Sequence, residues 1–305
     1  MSQDQPISEE DLSLLILADS NLPVGGFVSS SGLESFVNHA YFNQCHSDLD
    51  KSQVLLDFLF SNSHNYASIC APFFYHLNSL VANSFRSQSD LLALKQLPHR
   101  EKRDESSSGS FCDGIVSIIH RLNGLYDAMC LSHVNRRNSY AQGAAFLMLY
   151  AKSFSPPSDT SQSVDGLKRN IIEAVKSQSR TQKWPIHFPI SFALVTAILG
   201  LSFDRAIHLH LFLHIRSILS SAVRLNIIGP YLSQRLLFTN AKGILDQIIL
   251  ELKDTRLSRA DQIECGLTPE DDAHDETEGG PASTCPFWEI IQTRHDVCRV
   301  RLFNS

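Results

Sequence analysis

Several clusters in this 305-residue chain combine residue types at spacings that chemistry could use. Asp271-Asp272-Ala273-His274-Asp275 repeats carboxylates as a helix face would to hold Mg²⁺ against a diphosphate, work suited to hard oxygen ligands. It stands between Pro269 and Gly279-Gly280-Pro281 with no apolar stripe beside it. A helix there has nothing to pack on, and a solvated acidic loop is the plainer reading. His210 and His214 are four apart on one polar stripe and could both face a metal, or serve as hydrogen-bonded or partner-facing histidines. His208 lies about 160° around the helix from His210, so it adds no third ligand. His295-Asp296 pairs an acid with a base, but no Gly-x-Ser-x-Gly elbow accompanies it. Pro23-Val24-Gly25-Gly26-Phe27 lacks the Gly-Lys-Ser/Thr of a phosphate loop, which leaves a turn whose paired glycines permit positive φ and close backbone approach. No catalytic residue emerges, and the chain is expected not to be an enzyme.

The last residues pose a different question. Leu302 and Phe303 are apolar, close to the end and flanked by Arg299 and Arg301. They could dock on their own core, or order on a partner as an aromatic and arginine anchor of the kind that dominates interfaces. Composition does not separate the two.

The elements that must position these groups are helices. The chain holds 39 leucines against 13 valines and shows no sustained alternation, which favours an all-α class. Phe203 to Ile228 reads as an amphipathic helix, with Ile207, Leu211, Ile215, Ile218, Leu219 and Ala222 on one side. Ser8 can cap a helix through Ala18, and Asp50 one beginning at Lys51. Gly114 to His133, Arg136 to Phe154, Val164 to Thr181 and Gln234 to Leu252 complete the set, with a bend at Gly229-Pro230. The expected architecture is a single bundle of about ten helices over 1–254, with mobile loops at 98–110 and 155–163. A disordered acidic insertion at 255–284 and a terminal segment at 285–305 of the same domain follow.

The formal charge is −6 and the pI near 6.1, which argues against nucleic acid and anionic membranes as partners. Seven scattered cysteines without Cys-x-x-Cys exclude a disulfide framework and a zinc ribbon. Residues 1–10 carry no signal-peptide pattern, and Ile186 to Phe203 and Ala206 to Ile228 do not read as membrane spans. A soluble, cytoplasmic protein is expected.

At four places the chain resembles the UreF family of urease accessory proteins. Leu15-Ile-Leu-Ala-Asp-Ser-Asn-Leu-Pro-Val-Gly-Gly-Phe27 leads into Ser31-Gly-Leu-Glu34. Arg137-Asn-Ser-Tyr-Ala-Gln-Gly143 follows, supported by His187-Phe-Pro and Leu199-Gly-Leu. Ala222-Val-Arg-Leu-Asn-Ile-Ile-Gly-Pro-Tyr-Leu-Ser-Gln-Arg235 is third, and Arg294-His-Asp with Arg301-Leu-Phe-Asn-Ser305 fourth. Their order and spacing span almost the whole chain. Val28-Ser29-Ser30 and Val300 depart from the family pattern, and the polar stretches look like insertions of a eukaryotic member.

The resemblance implies an all-α, non-catalytic homodimer that binds a UreD or UreH-type accessory protein. It implies recruitment of the UreG-type GTPase, docking on urease apoprotein, help in nickel delivery, and gating of the GTP cycle. On that basis Arg294, His295, Asp296, Arg301, Leu302, Phe303, Asn304 and Ser305 are expected at the UreD-type partner. Arg224, Gln234 and Arg235 are expected at a dimer or GTPase surface. Glu34 is expected either at the GTPase or in a capping box. Pro23, Gly25, Gly26 and Phe27 form the close-approach turn. His210 and His214 are the only metal candidates, nickel being handled by the whole complex with no firmly bound cofactor. A generic all-α scaffold and a Mg²⁺-dependent isoprenoid synthase are the alternatives.

Overall fold

A computed structural model describes residues 7–39, 47–95, 106–155, 164–181, 184–268 and 280–304. Among these are twelve α-helices and no strand. They are α1 (Glu9–Leu17), α2 (Leu33–Asn38), α3 (Asp48–Lys95), α4 (Ser106–Met129), α5 (His133–Leu149) and α6 (Val164–Thr181). The rest are α7 (Phe188–Ile198), α8 (Phe203–Arg224), α9 (Pro230–Thr239), α10 (Ala241–Leu252), α11 (Arg259–Cys265) and α12 (Pro286–Thr293). The all-α class holds.

Local chemistry sets the starts. The Ser8 hydroxyl accepts the Asp11 N–H at 3.0 Å at the head of α1. Helix α3 begins three residues before the expected Lys51. Ser47 and Asp50 exchange N–H bonds to each other's side chains at 3.1 Å, so Asp50 is the inner member of a capping box rather than its cap. The expected helix 234–252 is two helices, α9 and α10, meeting at Asn240, whose side chain accepts the Thr239 hydroxyl at 2.6 Å.

Helix α7 was not legible from periodicity because it is apolar all round. Nine of its residues, Pro189 to Thr196 and Ile198, are buried, as befits a helix surrounded by others. It packs chiefly against α3 and α5. Phe192 contacts Phe74, Phe146, Phe188 and His210, with Phe146 stacked at 5.1 Å.

A polar joint fixes α4, α5 and α7. The Ser139 hydroxyl, from the middle of α5, accepts the Phe188 N–H at 3.0 Å and so caps α7 from another helix. It also meets His187 Nδ1 at 3.0 Å, and His187 Nε2 donates to Asp127 at 3.0 Å. Burial pushes the His187 pKa down to about 4, which keeps the ring neutral in this chain of bonds. Asn123 accepts the His187 N–H and donates to the Pro185 carbonyl. At Gly143 the helices touch: an added Cβ would lie 2.2 Å from the Ile186 carbonyl oxygen.

The expectation of mobile insertions is corrected in part. Residues 106–110 belong to α4, while 98–105 and 156–163 lie outside the described residues. Within 255–284, helix α11 is complete in itself. Ser258 accepts the Asp261 N–H at 3.2 Å, and Gly266 closes the helix at φ +75°. Leu257 is buried, its N–H held by His76 Nε2 at 3.2 Å. The acidity of the whole segment hid this short capped unit. Residues 269–279, with Asp271, Asp272 and Asp275, lie outside the described residues.

Beyond that gap the chain is sewn to α3. Asn65 accepts from Ser283 and from the Cys285 N–H, and the Trp288 indole donates to Ser61 at 2.8 Å while its ring packs edge-on against the touching rings of Phe36 and Phe58.

Gly143→Ala forces a methyl onto the Ile186 carbonyl. It should lower unfolding free energy by about 2–3 kcal/mol in urea titrations, as overpacked sites do; Gly124→Ala, with nothing within 4 Å, should not.

Candidate functional site

Glu34 is the centre of the site. It lies in the first turn of α2 and is 3% exposed. Its carboxylate accepts the main-chain N–H of Leu302, that of Phe303 at 3.1 Å, and His295 Nε2 at 2.8 Å. The expected capping box is therefore not formed. Glu34 receives help instead, its own N–H donating to the Ser30 hydroxyl at 3.3 Å. A carboxylate this deep is tolerable only with several donors, and three are supplied.

His295 and Asp296 are adjacent but do not act on each other. His295 turns inward to Glu34 and is fully buried. Asp296 turns outward and takes both arms of the Arg137 guanidinium at 3.1 and 3.3 Å, with His133 at 2.9 Å and Arg301 at 3.3 Å. Hydrogen bonds from Arg137 and then His133 hold the Asp296 carboxyl down at about 2. Arg137 also donates to the Asn304 carbonyl at 3.3 Å, and the Asn304 N–H returns to the Val28 carbonyl at 2.9 Å. Arg294 donates to His39 Nε2 at 3.1 Å.

Phe303 is buried, capped by the Arg224 guanidinium 4.2 Å from its ring centre. The terminal anchor is thus spent on its own core. Leu302 remains 59% exposed beside it, and Asn304 is exposed. Ser305 lies outside the described residues. Arg224 reaches the tail, while Gln234 and Arg235 are exposed on α9 and do not join it there. Pro23 precedes a turn in which Gly25 takes φ +73°, and Gly26 faces Gln142, whose Oε1 would sit 3.3 Å from an added Cβ. Phe27 is 70% exposed.

Behind this turn lies a cavity of about 500 Å³ bounded by α3, α5, α8 and α9. His210 and His214 line it, as hydrogen-bonded rings, one of the readings their shared polar stripe allowed. His210 is buried, bonded through Nε2 to the Tyr66 hydroxyl at 2.8 Å. His214 Nε2 meets Asn62 at 3.0 Å, and its ring stacks on Tyr66 at 4.4 Å. Burial lowers their pKa values to about 3 and about 4. Among the described residues no three His, Cys, Asp or Glu side chains gather at metal-holding distance.

The four separated sequence patterns therefore meet in space. The first supplies Glu34, the second Arg137 and Gln142, the third Arg224, and the fourth His295, Asp296, Phe303 and Asn304, with Val28 joining from between the two halves of the first. Sequence reasoning did not place Arg137, His133 or Val28 in the site. Arg137 was visible within its pattern, but only the fold pairs it with Asp296.

Comparison with known proteins gives one answer. The sequence profile of the UreF family matches residues 49–241. The chain is 35% identical to Urease accessory protein 6 of Cryptococcus neoformans over all of both chains. It is 28% identical to Urease accessory protein F of Arabidopsis thaliana, covering 95% of this chain and 90% of that one. It is 23% identical to Urease accessory protein UreF of Corynebacterium glutamicum over 97% and 99% of the two chains.

Two measurements check this geometry. Glu34→Ala strands three buried donors and should cost about 3 kcal/mol in chemical denaturation, with faster amide exchange at Leu302 and Phe303. The second concerns acid. His76, His187, His210 and His214 are all held near pKa 3 to 4 by burial, below the ordinary 6.5. The unfolded chain takes up their protons first, so stability falls as the pH drops below about 6.5. At pH 5 each neutral histidine removes about 2 kcal/mol relative to neutral pH. Melting temperature should drop steadily from pH 7 to pH 5; a flat profile would contradict the buried neutral rings.

Proposed function

The chain belongs to the UreF family of urease accessory proteins, whose role is in urease maturation, and from that premise we propose that it acts there as a non-catalytic adaptor. In this reading it bridges a UreD or UreH-type accessory protein and the UreG-type GTPase, docks with them on urease apoprotein, and helps place nickel, which is cargo of the assembly. It does so as a homodimer in the cytoplasm, and its contact with the GTPase gates the GTP cycle.

The observation that carries the adaptor reading is the surface of the docked tail. Phe303, His295 and Glu34 are used internally, yet Val297, Val300 and Leu302 are 68%, 81% and 59% exposed. They stand among Arg137, Arg299 and Arg301, all exposed. A tail already ordered by its own core offers these side chains at low entropic cost, which favours binding. Apolar residues framed by arginine suit a protein partner rather than solvent. The second surface, Gln234 and Arg235 on α9, adjoins Tyr231 and Phe238, 92% and 88% exposed, which fits the proposed dimer or GTPase contact.

The test is capture of purified UreD- and UreG-type proteins, with and without GTP. Leu302→Glu should weaken UreD-type capture about 30-fold, a loss of about 2 kcal/mol, without lowering the melting temperature. Arg235→Glu should spare that step and impair dimerisation or GTPase recruitment. Unchanged capture by Leu302→Glu would remove the tail from the interface.

A further inference from the structure

The adaptor surfaces leave the cavity of about 500 Å³ without a use, although its volume falls in the range of small-molecule sites. Side chains from three helices line it with hydrogen-bonding capacity to spare. Helix α12 contributes Glu289 and Gln292, three apart and therefore on one face. Glu289 is 6% exposed, and its Oε2 accepts the Ser132 N–H at 3.0 Å. Its Oε1 has no partner among the described residues. The Gln292 amide donates to the Ser31 carbonyl at 3.4 Å and leaves its own Oε1 buried and unmatched. On α8, His210 is 2% exposed and spends Nε2 on Tyr66, so that Nδ1 is unmatched. On α4, Tyr126 is buried and its hydroxyl has no partner among the described residues.

These groups lie near one another. Burial, and after it neighbours that include Glu289, pushes the Tyr126 hydroxyl and the Cys130 thiol up, so the Glu289 charge reaches both. Tyr66, which bonds His210, acts on Tyr126 as well.

The set has a chemical preference. Glu289 and Gln292 present oxygens that only accept, and the Tyr126 hydroxyl accepts or donates. A guest must therefore bring several N–H donors. Glu289, with Asp19 also lining the cavity, asks for positive charge, and the aromatic rings of Tyr66, Tyr126 and Phe188 favour a cation over an anion. The two arginines that line the cavity are engaged elsewhere, Arg216 on the Ala18 carbonyl and Arg224 over the Phe303 ring. A metal ion is a poor match, since no three His, Cys, Asp or Glu side chains gather among the described residues.

We propose that this cavity is a binding site for a small organic cation rich in N–H donors, of the guanidinium or primary ammonium class. The head of the guest lies against Glu289 Oε1, and Gln292 Oε1 and the Tyr126 hydroxyl accept its remaining N–H groups. The site is separate from the adaptor surfaces on the tail and α9, and a guest bound there competes with neither.

The experiment titrates the full chain with methylguanidinium by saturation-transfer NMR, beside methylammonium, tetramethylammonium and acetamide. Methylguanidinium should bind with a Kd of about 1 mM, in keeping with its few heavy atoms, and methylammonium within about fivefold of that. Tetramethylammonium has charge without N–H, and acetamide has N–H without charge; each should bind at least about tenfold more weakly. Glu289→Gln keeps an acceptor for the Ser132 N–H but removes the charge, and should weaken methylguanidinium about tenfold. Tyr126→Phe deletes a hydroxyl with no protein partner, so it should keep the melting temperature and weaken methylguanidinium about threefold. The proposal is overturned by no saturation below about 20 mM or by equal binding of all four probes. An unchanged Kd in Tyr126→Phe, or in Glu289→Gln shown to be folded, overturns it too.

Discussion

A single buried carboxylate organises the far ends of this chain. Glu34 sits where a charge is costly, and it is made tolerable by two main-chain N–H groups and an imidazole from residues more than 260 positions away. Those donors exist only if α12 and the residues after it return to α2. The cost of leaving Glu34 unpaired therefore selects the docked tail over a free one, and it specifies register as well, since N–H groups 302 and 303 must both arrive. Asp296 works on the opposite face of the same turn, half-buried and held by Arg137, His133 and Arg301, where its contribution is partly screened and mainly orienting.

The same logic recurs in the interior. Helix α7 has no polar stripe of its own, so its N-terminal N–H groups are met from outside by Ser139 and Asn123. Gly143 lets α5 approach closely enough for that cap to reach. The residues that recur in the family pattern on α5 are thus bound up with intramolecular closure. Outside this closure lies the surface proposed for other proteins: the exposed apolar side chains of the tail and of α9, framed by arginine. An adaptor is well served by this division, because side chains displayed on an ordered frame lose little freedom on binding.

The histidines illustrate how burial changes a chemical reading. On a helical wheel His210 and His214 share a polar stripe, which by itself does not separate a metal site, a partner contact and internal hydrogen bonds. In the fold that stripe faces Tyr66 and Asn62 across the cavity, and each Nε2 is engaged. Hydrogen bonding within a polar pocket, rather than exposure, is the reason two polar rings stand on one side of α8.

The amino-acid sequence by itself determined the helical class, most helix positions, the cap at Ser8, and family membership through four short patterns, because propensity, capping and motif order are properties of neighbouring residues. It did not reveal α7, whose uniform apolarity carries no period, or α11, whose capped turn is masked by an acidic surrounding. Nor did it decide whether Leu302 and Phe303 dock inward or outward. Only the tertiary structure divided them, burying one and exposing the other, since the partners that settle the matter, Glu34, Arg224 and Val28, are brought to the tail by packing across the whole chain.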